Sequence, residues 1–442
     1  RWLLNPVYLL LLTVLSPVIL WRVVRHGRYR RGLSQKLLGR LPALSADHTD
    51  TRPVVWFHAV SVGEVVQLQK IADDFDRLTR QQFRLLVTTS TDTGFDLAIK
   101  RFPNCTVSWF PLDFTWSVRA ALDRVRPTML VLMELELWPN LIAECANRQI
   151  RTAVINARMS DRSVRGYHRI RTLLSPLLQN LDLIAAQSQQ YADRLVSLGC
   201  SAPRTTVTGS IKFDGVETDR SNPRTLELRE WFRLQDDEVV LMAGSTQDPE
   251  EEIALEAWDS LRHRWPNLRL LLVPRHRERF DAVATMVTSR GYSLIRRSSA
   301  QPDDADSQAV LLLDTIGELS ACWGLADLAF VGGSFGRRGG QNMIEPAAYG
   351  AVIMFGPNTS NFRDVVRRFQ EHNACLTLPA PADLRETVHQ LLQEPELRTV
   401  LGTKAQQIVI DQQGAVRRTT ELLADLAETP TVITFRPDTR AA

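Results

Sequence analysis

The sequence predicts an α/β protein with two doubly wound, Rossmann-like domains that face each other across a cleft. Two series of short apolar runs alternate with stretches of helical periodicity, and such alternation produces parallel sheets covered by helices. A polar stretch with Asn222-Pro223 separates the two series and is the best linker candidate. A length of 442 residues with 44% hydrophobic content can fill two sizeable cores.

Apolar runs in both series are predicted as strands. In the first series they are residues 54–60, 83–87, 106–110, 128–133, 152–155 and 183–186. In the second series they are residues 239–243, 268–273, 310–313, 328–331, 351–355 and 375–378. In doubly wound sheets ligands bind beyond the carboxyl ends of the strands, so polar residues that follow these runs are the site candidates.

Residues 2–21 are predicted as a single membrane-spanning helix. They carry no charge, they are long enough to cross a hydrocarbon core of ~30 Å, and Trp2 and Trp21 stand at their ends. Five arginines follow between Arg22 and Arg31, so the positive-inside rule predicts that the rest of the chain is cytoplasmic. One alternative is a cleaved signal peptide, whose basic end should come before its apolar core. The other is a helix in a hydrophobic groove of the protein itself.

Composition argues against several classes of function. A net charge of +3 is too small to imply nucleic acid by itself. The five cysteines are scattered without C-x-x-C spacing, which argues against a disulfide framework or a zinc site. Two D-x-D patterns, at residues 74–76 and 304–306, lie away from predicted strand ends. We therefore expect no metal site.

A glycine-rich loop follows the predicted strand at 328–331. Asn342 is predicted to cap a helix over residues 343–349, which would offer free backbone N–H groups and a positive dipole end to a phosphate. Glu345, in the first turn, is placed to accept hydrogen bonds from ribose hydroxyls. The alternative is that the glycines only make a turn and Glu345 only complements the helix dipole. The loop matches neither the P-loop nor the G-x-G-x-x-G pattern.

Charged residues also follow strands of the first series. Glu64 stands where a strand turns into a helix, so it is either a general base or a dipole-complementing glutamate. Glu134 and Glu136 end another strand, where carboxylates need partners or a task. The alternative is that they are surface residues before Pro139, and this is the role expected of Glu136. Lys212, near the linker, either faces a phosphate or is a solvated surface lysine.

Two further strand ends belong to the second series. Pro274 and Arg275 end one strand, and the guanidinium can pair with phosphate or with a neighbouring helix. Residues 316–318 follow another strand and belong either to a nucleotide contact or to an ordinary Asp/Thr-capped helix start.

Several separated motifs together resemble the 3-deoxy-D-manno-octulosonic acid (Kdo) transferases. They are residues 58–64 (His-Ala-Val-Ser-Val-Gly-Glu), 134–140 (Glu-Leu-Glu-Leu-Trp-Pro-Asn), 209–214 (Gly-Ser-Ile-Lys-Phe-Asp), 331–346 and 356–362. The resemblance implies an inverting, metal-independent glycosyltransferase of the GT-B architecture. It would move Kdo from CMP-Kdo to the lipid A precursor, lipid IVA, in lipopolysaccharide core biosynthesis.

The resemblance also implies roles for individual residues. Glu64 would be the general base, and Glu134 and Lys212 would stabilise the transition state. The CMP of the donor would contact Pro274, Arg275, Ile316, Gly317, Glu318, Asn342, Met343, Ile344 and Glu345. Gln247, Gln341 and Asn358 stand where the family often has histidine, so donor affinity or its pH dependence is expected to differ.

The expected organisation follows from the pattern and the resemblance together. Residues 1–31 are the anchor with its basic flank, 32–215 the acceptor domain, 216–224 the linker, 225–413 the CMP-Kdo domain, and 414–442 a final helix and tail. In the GT-B family such a helix commonly crosses back to the first domain.

The partners expected from the resemblance are CMP-Kdo, an acylated phosphorylated glucosamine disaccharide and the inner membrane, with the catalytic part on the cytoplasmic side. CMP-Kdo is a substrate, so no cofactor is expected. The alternatives are a GT-B transferase with a UDP-sugar donor and a membrane-tethered nucleotide-binding protein without turnover.

Overall fold

The structure is a computed structural model that describes residues 4–26, 31–44, 49–300 and 308–428. The chain divides into two compact units, unit 1 (Arg1–Asp214 with Gln413–Ala442) and unit 2 (Gly215–Gln412). Within the described residues each unit holds one seven-stranded sheet whose strand pairs are all parallel. The prediction of two Rossmann-like α/β domains is therefore confirmed.

Unit 1 has the strand order β3-β2-β1-β4-β5-β6-β7. Its strands are β1 (Val54–His58), β2 (Arg84–Thr89), β3 (Thr106–Trp109), β4 (Met129–Met133), β5 (Arg151–Ala157), β6 (Leu183–Ala186) and β7 (Thr205–Val207). Its helices are α1 (Leu4–His26), α2 (Leu33–Leu38), α3 (Val62–Leu78), α4 (Asp92–Arg101), α5 (Thr115–Val125), α6 (Pro139–Asn147), α7 (Asp161–His168), α8 (Arg171–Leu178), α9 (Gln189–Leu198) and α18 (Ala415–Glu428). The strand order reverses direction between β1 and β4, which is the topological switch point where α/β sheets bind ligands.

Unit 2 has the strand order β10-β11-β9-β8-β12-β13-β14. Its strands are β8 (Val239–Thr246), β9 (Leu268–Pro274), β10 (Leu294–Arg296), β11 (Val310–Leu312), β12 (Leu328–Val331), β13 (Val352–Phe355) and β14 (Leu376–Thr377). Its helices are α10 (Pro223–Trp231), α11 (Glu250–Arg262), α12 (Phe280–Ser289), α13 (Leu319–Cys322), α14 (Ile344–Ala348), α15 (Arg363–Glu371), α16 (Asp383–Gln393) and α17 (Pro395–Gln412). The switch point of this sheet lies between β8 and β12.

Each predicted apolar run overlaps one of these strands, and β7 and β10 were not predicted. Both are three-residue edge strands, and both carry partly exposed residues. Short edge strands lack the continuous apolar run that marks a strand buried on both faces. Central strands such as β1 and β4 are buried at every position, which is why their sequences were easy to recognise.

The N-terminal segment forms α1. No helix within the described residues is both long and apolar enough to cross a membrane, so the predicted membrane-spanning helix is not confirmed. Asn5 at the start of α1 is buried and donates from Nδ2 to Thr115 Oγ1 at 3.1 Å. The Tyr8 hydroxyl donates to Asp113 Oδ2 at 3.0 Å.

Farther along α1 the apolar side chains face outward. Leu10 and Val14 are each 66% exposed, and Trp21 is 53% exposed. Residues 1–3 and 27–30, which include Trp2 and two of the predicted flanking arginines, lie outside the described residues. The helix therefore combines a first turn bound to unit 1 with an exposed apolar surface.

The last described helix, α18, belongs to unit 1. Leu423 is fully buried in a core cluster that also contains Val55 and Phe57 of β1. Thr420 Oγ1 donates to Asp74 Oδ2 at 2.5 Å, which joins α18 to α3. The chain enters the helix beside Asp214, whose Oδ1 accepts from the Gly414 N–H at 2.6 Å. Residues 429–442 lie outside the described part of the chain.

Candidate active site

Charged residues that are site candidates follow four strands of unit 1 at the same edge of the sheet. Glu64 comes after β1, Glu134 after β4, Arg158 after β5 and Lys212 after β7. Because the strands are parallel, their carboxyl ends meet at one edge, and β1 and β4 flank the switch point. The structure thus brings Glu64, Glu134 and Lys212, predicted from separate stretches of sequence, to one edge of one sheet.

Glu64 sits in the first turn of α3 and is half-buried. Its Oε1 accepts a hydrogen bond from Ser61 Oγ at 2.8 Å, and its Oε2 accepts from the Val60 N–H at 2.9 Å. The Glu64 N–H donates to Ser61 Oγ at 3.3 Å, so the two residues form a reciprocal cap. Burial raises the pKa of Glu64 above its ordinary value, although these hydrogen bonds act in the opposite direction. The carboxylate is therefore both a cap and a strengthened base.

Glu134 has an unusual backbone conformation at the end of β4. Its φ of +55° lies in the left-handed region, which a side chain other than glycine or asparagine seldom adopts. The Glu134 N–H donates to Ile155 O of β5 at 2.9 Å, and Glu134 Oε2 accepts from Arg158 Nε at 2.9 Å. The neighbouring strand therefore supports both the backbone and the carboxylate. Such supported strain is common at functional sites.

Glu136 is a functional candidate that the sequence reasoning treated as a surface residue. It is half-buried, and burial together with the charges of Glu64 and Glu134 raises its pKa to about 7. The charge of Glu134 also raises the pKa of Glu64. The negative charges of Glu64 and Glu134 therefore act on Glu136, which holds a proton for part of the time near neutral pH.

Lys212 lies in a short 3₁₀ turn, Ile211–Phe213, and is half-buried. The turn is held by Asn156 of β5, whose Oδ1 accepts from the Ile211 N–H at 3.3 Å. Asn156 is fully buried, has a φ of +52°, and donates from Nδ2 to Gln67 Oε1 of α3 at 2.9 Å. It links the helix of Glu64 to the turn of Lys212. The sequence signal that could have identified Asn156 is a polar residue at the end of an apolar strand.

His58 precedes Glu64 in the same motif but is a core histidine. Its ring stacks on Phe110 with centroids 3.6 Å apart, and Nδ1 lies 3.1 Å from both Thr88 O and Thr88 Oγ1. Burial lowers the pKa of His58 to about 3, so the imidazole is neutral at physiological pH. It supports the strand that ends at Glu64 and is not a candidate acid.

Unit 2 carries the residues predicted to contact the nucleotide. Arg275 directly follows β9, its N–H donates to Thr246 O of β8 at 3.0 Å, and its side chain is exposed. Arg279, one turn later, is the residue that pairs with α11, through Glu251 Oε2 at 2.9 Å. No ion pair or side-chain hydrogen bond of Arg275 occurs among the described residues, so its guanidinium is available to an anion.

Residues 316–318 follow β11 in an exposed turn. Ile316 is 75% exposed and Gly317 has a φ of +95°, so backbone groups are accessible here. The predicted alternative, a helix capped by Asp or Thr side chains, is wrong, because α13 has no side-chain cap. Glu318 Oε1 accepts from Arg297 at 2.7 Å, and this hydrogen bond lowers the pKa of Glu318.

The segment after the glycine loop forms a shorter helix than the sequence predicts. The helix α14 begins at Ile344 instead of Met343, and it is only five residues long. Asn342 Oδ1 accepts from the Ile344 N–H at 3.1 Å, and Asn342 Nδ2 donates to Glu345 Oε1 at 2.9 Å. Met343 and Ile344 are buried, so only their backbone groups remain as candidates for nucleotide contact.

The backbone N–H groups at the start of the glycine loop are hydrogen-bonded within unit 2. The Glu250 carboxylate, 2% exposed, accepts from Gly333 N at 2.6 Å, Ser334 N at 3.0 Å and Phe335 N at 3.1 Å. An internal carboxylate therefore occupies the anion-binding part of the loop. No pattern in the sequence linked Glu250 to residues 83 positions away.

Of the two D-x-D patterns, only the first lies within the described residues. Residues 74–76 lie within α3, where Asp74 bonds Arg77 and Thr420, and residues 304–306 lie outside the described chain. Across the described ranges, no group of three His, Cys, Asp or Glu residues is arranged to hold a metal ion. Independence from metal stays a prediction.

Comparison with known proteins identifies a family that the chain resembles in sequence. Residues 29–215 match the family model described as 3-deoxy-D-manno-octulosonic-acid transferase (Kdo transferase). The 3-deoxy-D-manno-octulosonic acid transferase of Haemophilus influenzae is 33% identical over 431 residues, which is 95% of this chain and 98% of the relative. That of Bordetella pertussis is 34% identical over 433 residues, again 95% of this chain and 98% of the relative.

A solved structure supports the fold alone. UDP-GlcNAc 2-epimerase from Neisseria meningitidis aligns over 81% of this chain and 99% of its own, with a TM-score of 0.51 and 12% identity. The two nearly full-length relatives, by contrast, share a third of their residues with this chain. The chain therefore belongs to the Kdo transferase family of glycosyltransferases.

Proposed function

We propose that this enzyme transfers Kdo from CMP-Kdo to an acylated, phosphorylated glucosamine disaccharide, the lipid A precursor lipid IVA, with inversion at the anomeric carbon. Family membership supports the sugar that is transferred. The observation that carries the mechanism is Glu64, a half-buried carboxylate with a raised pKa at the switch point of unit 1. A base is most effective when its pKa is closer to the operating pH than that of a free glutamate.

In the proposed reaction Glu64 accepts the proton of an acceptor hydroxyl. The oxygen attacks the anomeric carbon of Kdo as the bond from that carbon to the phosphate oxygen breaks, and CMP leaves with the bonding electrons. Positive charge develops on the sugar ring in such transition states. The Glu134 carboxylate is proposed to stabilise this charge, with Arg158 fixing its orientation through the 2.9 Å hydrogen bond. Lys212 is proposed to offset the charge of the departing phosphate.

The donor side of the proposal rests on unit 2. Glu250 already uses the N–H groups at the start of the glycine loop, so the single phosphate of CMP is proposed to pair with Arg275. A guanidinium can donate two parallel hydrogen bonds to a phosphate without a metal. Asn342, Glu345 and the exposed backbone at 316–318 are proposed to hold the ribose and the base.

The acceptor side of the proposal includes association with the inner membrane from the cytoplasmic side. Support comes from the exposed leucines of α1 and from the segment around α7, which follows Arg158. Arg162, Arg165 and Arg169 are exposed there, and Leu173 is 80% exposed. Exposed arginines beside exposed apolar side chains suit a surface of anionic lipids and acyl chains.

Donor competition tests the proposal against a transferase that uses a UDP-sugar. The intact protein is titrated with CMP and with UDP, and CMP release from CMP-Kdo is followed with and without lipid IVA. We expect CMP to bind more tightly than UDP, and we expect acceptor-dependent CMP release. Tighter binding of UDP, or CMP binding without any turnover, would contradict the proposed function.

A further inference from the structure

We propose that a polar pocket in unit 2 is a subsite for the carboxylate of the transferred sugar acid. The proposal rests on the proposed function, because it assumes that the donor joins a nucleotide to an acidic sugar. A Kdo donor carries two anionic groups, a phosphate and a carboxylate. Arg275 is a candidate for the first, and nothing described above pairs with the second.

The pocket lies between the end of the glycine loop and the segment that follows β13. It has a volume of about 460 Å³, which is within the range of small-molecule sites. Its lining residues are Arg337, Gly339, Pro357, Asn358, Thr359, Ser360 and Arg363. Two guanidiniums, two hydroxyls and an amide in one pocket suit a hydroxylated, negatively charged molecule.

Hydrogen bonds fix the two walls of the pocket to each other. The Asn361 N–H donates to Gly339 O at 2.9 Å, and Asn361 Nδ2 donates to Arg338 O at 2.7 Å. The Asn358 N–H donates to Ser334 O at 2.9 Å. Gly339 has a φ of +83°, and a Cβ there would lie 2.3 Å from Ser360 Oγ. The Gly339 backbone therefore packs closely against the Ser360 side chain, and the positive φ also favours glycine at this position.

The charge of the pocket is not balanced from within unit 2. Among the described residues, neither Arg337 nor Arg363 has an ion pair or a side-chain hydrogen bond. Asp364, the acid next to Arg363, pairs with Arg367 at 3.9 Å. Two guanidiniums without a counter-ion attract an anion, and arginine pairs with a carboxylate through two parallel hydrogen bonds.

A carboxylate subsite would also explain how the enzyme discriminates between sugars. A site built to pair with one polar group rejects an analogue without that group more strongly than an apolar pocket rejects a change in size. A neutral sugar on the same nucleotide would leave both guanidiniums unpaired. The subsite is therefore proposed to select an acidic sugar while the nucleotide is held elsewhere.

Enzyme kinetics test this assignment. The variants, made in the whole chain, are Arg337→Gln, Arg363→Gln and the double variant. For each variant we would measure the KM for CMP-Kdo, the inhibition constant of CMP, and the melting temperature. Arg367→Gln is the matched control, because it removes the same charge from the same helix outside the pocket. Arg363→Lys keeps the charge but loses the paired hydrogen bonds.

We expect each pocket variant to raise the KM for CMP-Kdo about 10- to 100-fold, the usual effect of losing a charge-assisted hydrogen bond. CMP inhibition should stay within about twofold of wild type, and Arg363→Lys should fall in between. An unchanged KM in the double variant would overturn the subsite. A parallel loss of CMP inhibition would also overturn it, because the pocket would then bind the phosphate. Failure of the wild-type enzyme to bind CMP would instead refute the proposed function.

Discussion

At the scale of single residues, the charges of Glu64 and Glu134 raise the proton affinity of Glu136. Glu64 is held by Ser61 and Val60, and Glu134 by Arg158, whereas Glu136 has a pKa of about 7. When like charges lie close together, the proton goes to the group whose ionised form is least stabilised. Glu136 therefore holds a proton for part of the time near neutral pH, which removes a negative charge at this edge of the sheet.

Glu64→Gln tests the role of the base directly. Glutamine keeps the shape of the side chain but cannot accept the proton, so turnover should fall about 10²–10⁴-fold. CMP affinity should barely move, because the predicted nucleotide contacts all belong to unit 2. Turnover, CMP affinity and melting temperature should be measured on one preparation.

The matched control is Asp383→Asn. Asp383 is also a first-turn acid that accepts a backbone hydrogen bond, from the Ala380 N–H at 2.7 Å, but it lies in α16 of unit 2. If Glu64 only capped α3, both variants would lose at most ~1 kcal/mol of stability and keep near-normal turnover. Near-normal turnover in Glu64→Gln would leave Glu134 as the next candidate base.

The raised pKa of Glu136 predicts that the stability of the folded protein depends on pH. Its pKa is raised from the ordinary 4.5 of a free glutamate to about 7, so the folded state binds more protons than the unfolded state between these pH values. Stability from this group is therefore fully present below about pH 4.5 and is lost as the pH rises through about 7. Glu136→Gln removes the cost of burying the charge, so the variant should gain melting temperature relative to wild type as the pH rises.

Melting curves at pH 4.5 and pH 8 check this prediction. Glu256→Gln, which replaces an exposed glutamate of α11, controls for the loss of one negative charge. A difference between wild type and Glu136→Gln that is the same at both pH values would show that Glu136 is not a buried, proton-sharing carboxylate.

At the scale of elements, the glycine loop of unit 2 is organised by a buried carboxylate of α11. Glu250 accepts three backbone N–H groups of the loop and also the Gln247 N–H at 3.0 Å. It neutralises the ends of those N–H dipoles and fixes the path of the chain from β12 to the pocket of Arg337. The start of the loop is thus held from within unit 2, whereas Arg337 and Arg338 beyond it are exposed.

Glu250→Gln should destabilise unit 2 strongly. The new amide group directs N–H donors toward backbone N–H donors, and each hydrogen bond to a charged group contributes about 1.5–3 kcal/mol. We expect a loss of at least ~3 kcal/mol in denaturant unfolding, with weaker CMP binding. Glu252→Gln, an exposed neighbour on the same helix, should cost under ~0.5 kcal/mol. Equal effects of the two changes would refute the scaffold role.

The exposed surface of α1 predicts lipid contact. Replacing both Leu10 and Val14 with glutamine should leave the melting temperature unchanged, because both side chains are 66% exposed. Partitioning into anionic phospholipid vesicles should fall by at least about tenfold, since burying each side chain contributes about 1.5–3 kcal/mol. The control is a double variant of unit 2, Val400→Gln with Ile410→Gln, which replaces two other exposed apolar side chains. Equal vesicle binding by all three proteins would contradict the prediction.

At the scale of the whole molecule, the sequence predicted what local patterns determine. Central strands can be recognised in the sequence as apolar runs. The charged residues that follow those runs lie at one edge of the sheet, because parallel strands have their carboxyl ends at the same edge. Long-range pairings such as Glu250 with the loop, or Arg158 with Glu134, leave no periodic signal. The electrostatic shift of Glu136 also depends on neighbours from another strand, so the sequence alone gave no reason to single it out.

The central claim is Kdo transfer to a lipid acceptor by the carboxylates of unit 1. The most direct measurement is a mass spectrum of lipid IVA after incubation with CMP-Kdo and the enzyme, in buffer containing EDTA. We predict that the acceptor mass increases by one or more Kdo residues and that Glu64→Gln yields little of this product in the same time. An unmodified acceptor with the wild-type enzyme, or full product from Glu64→Gln, would contradict the claim.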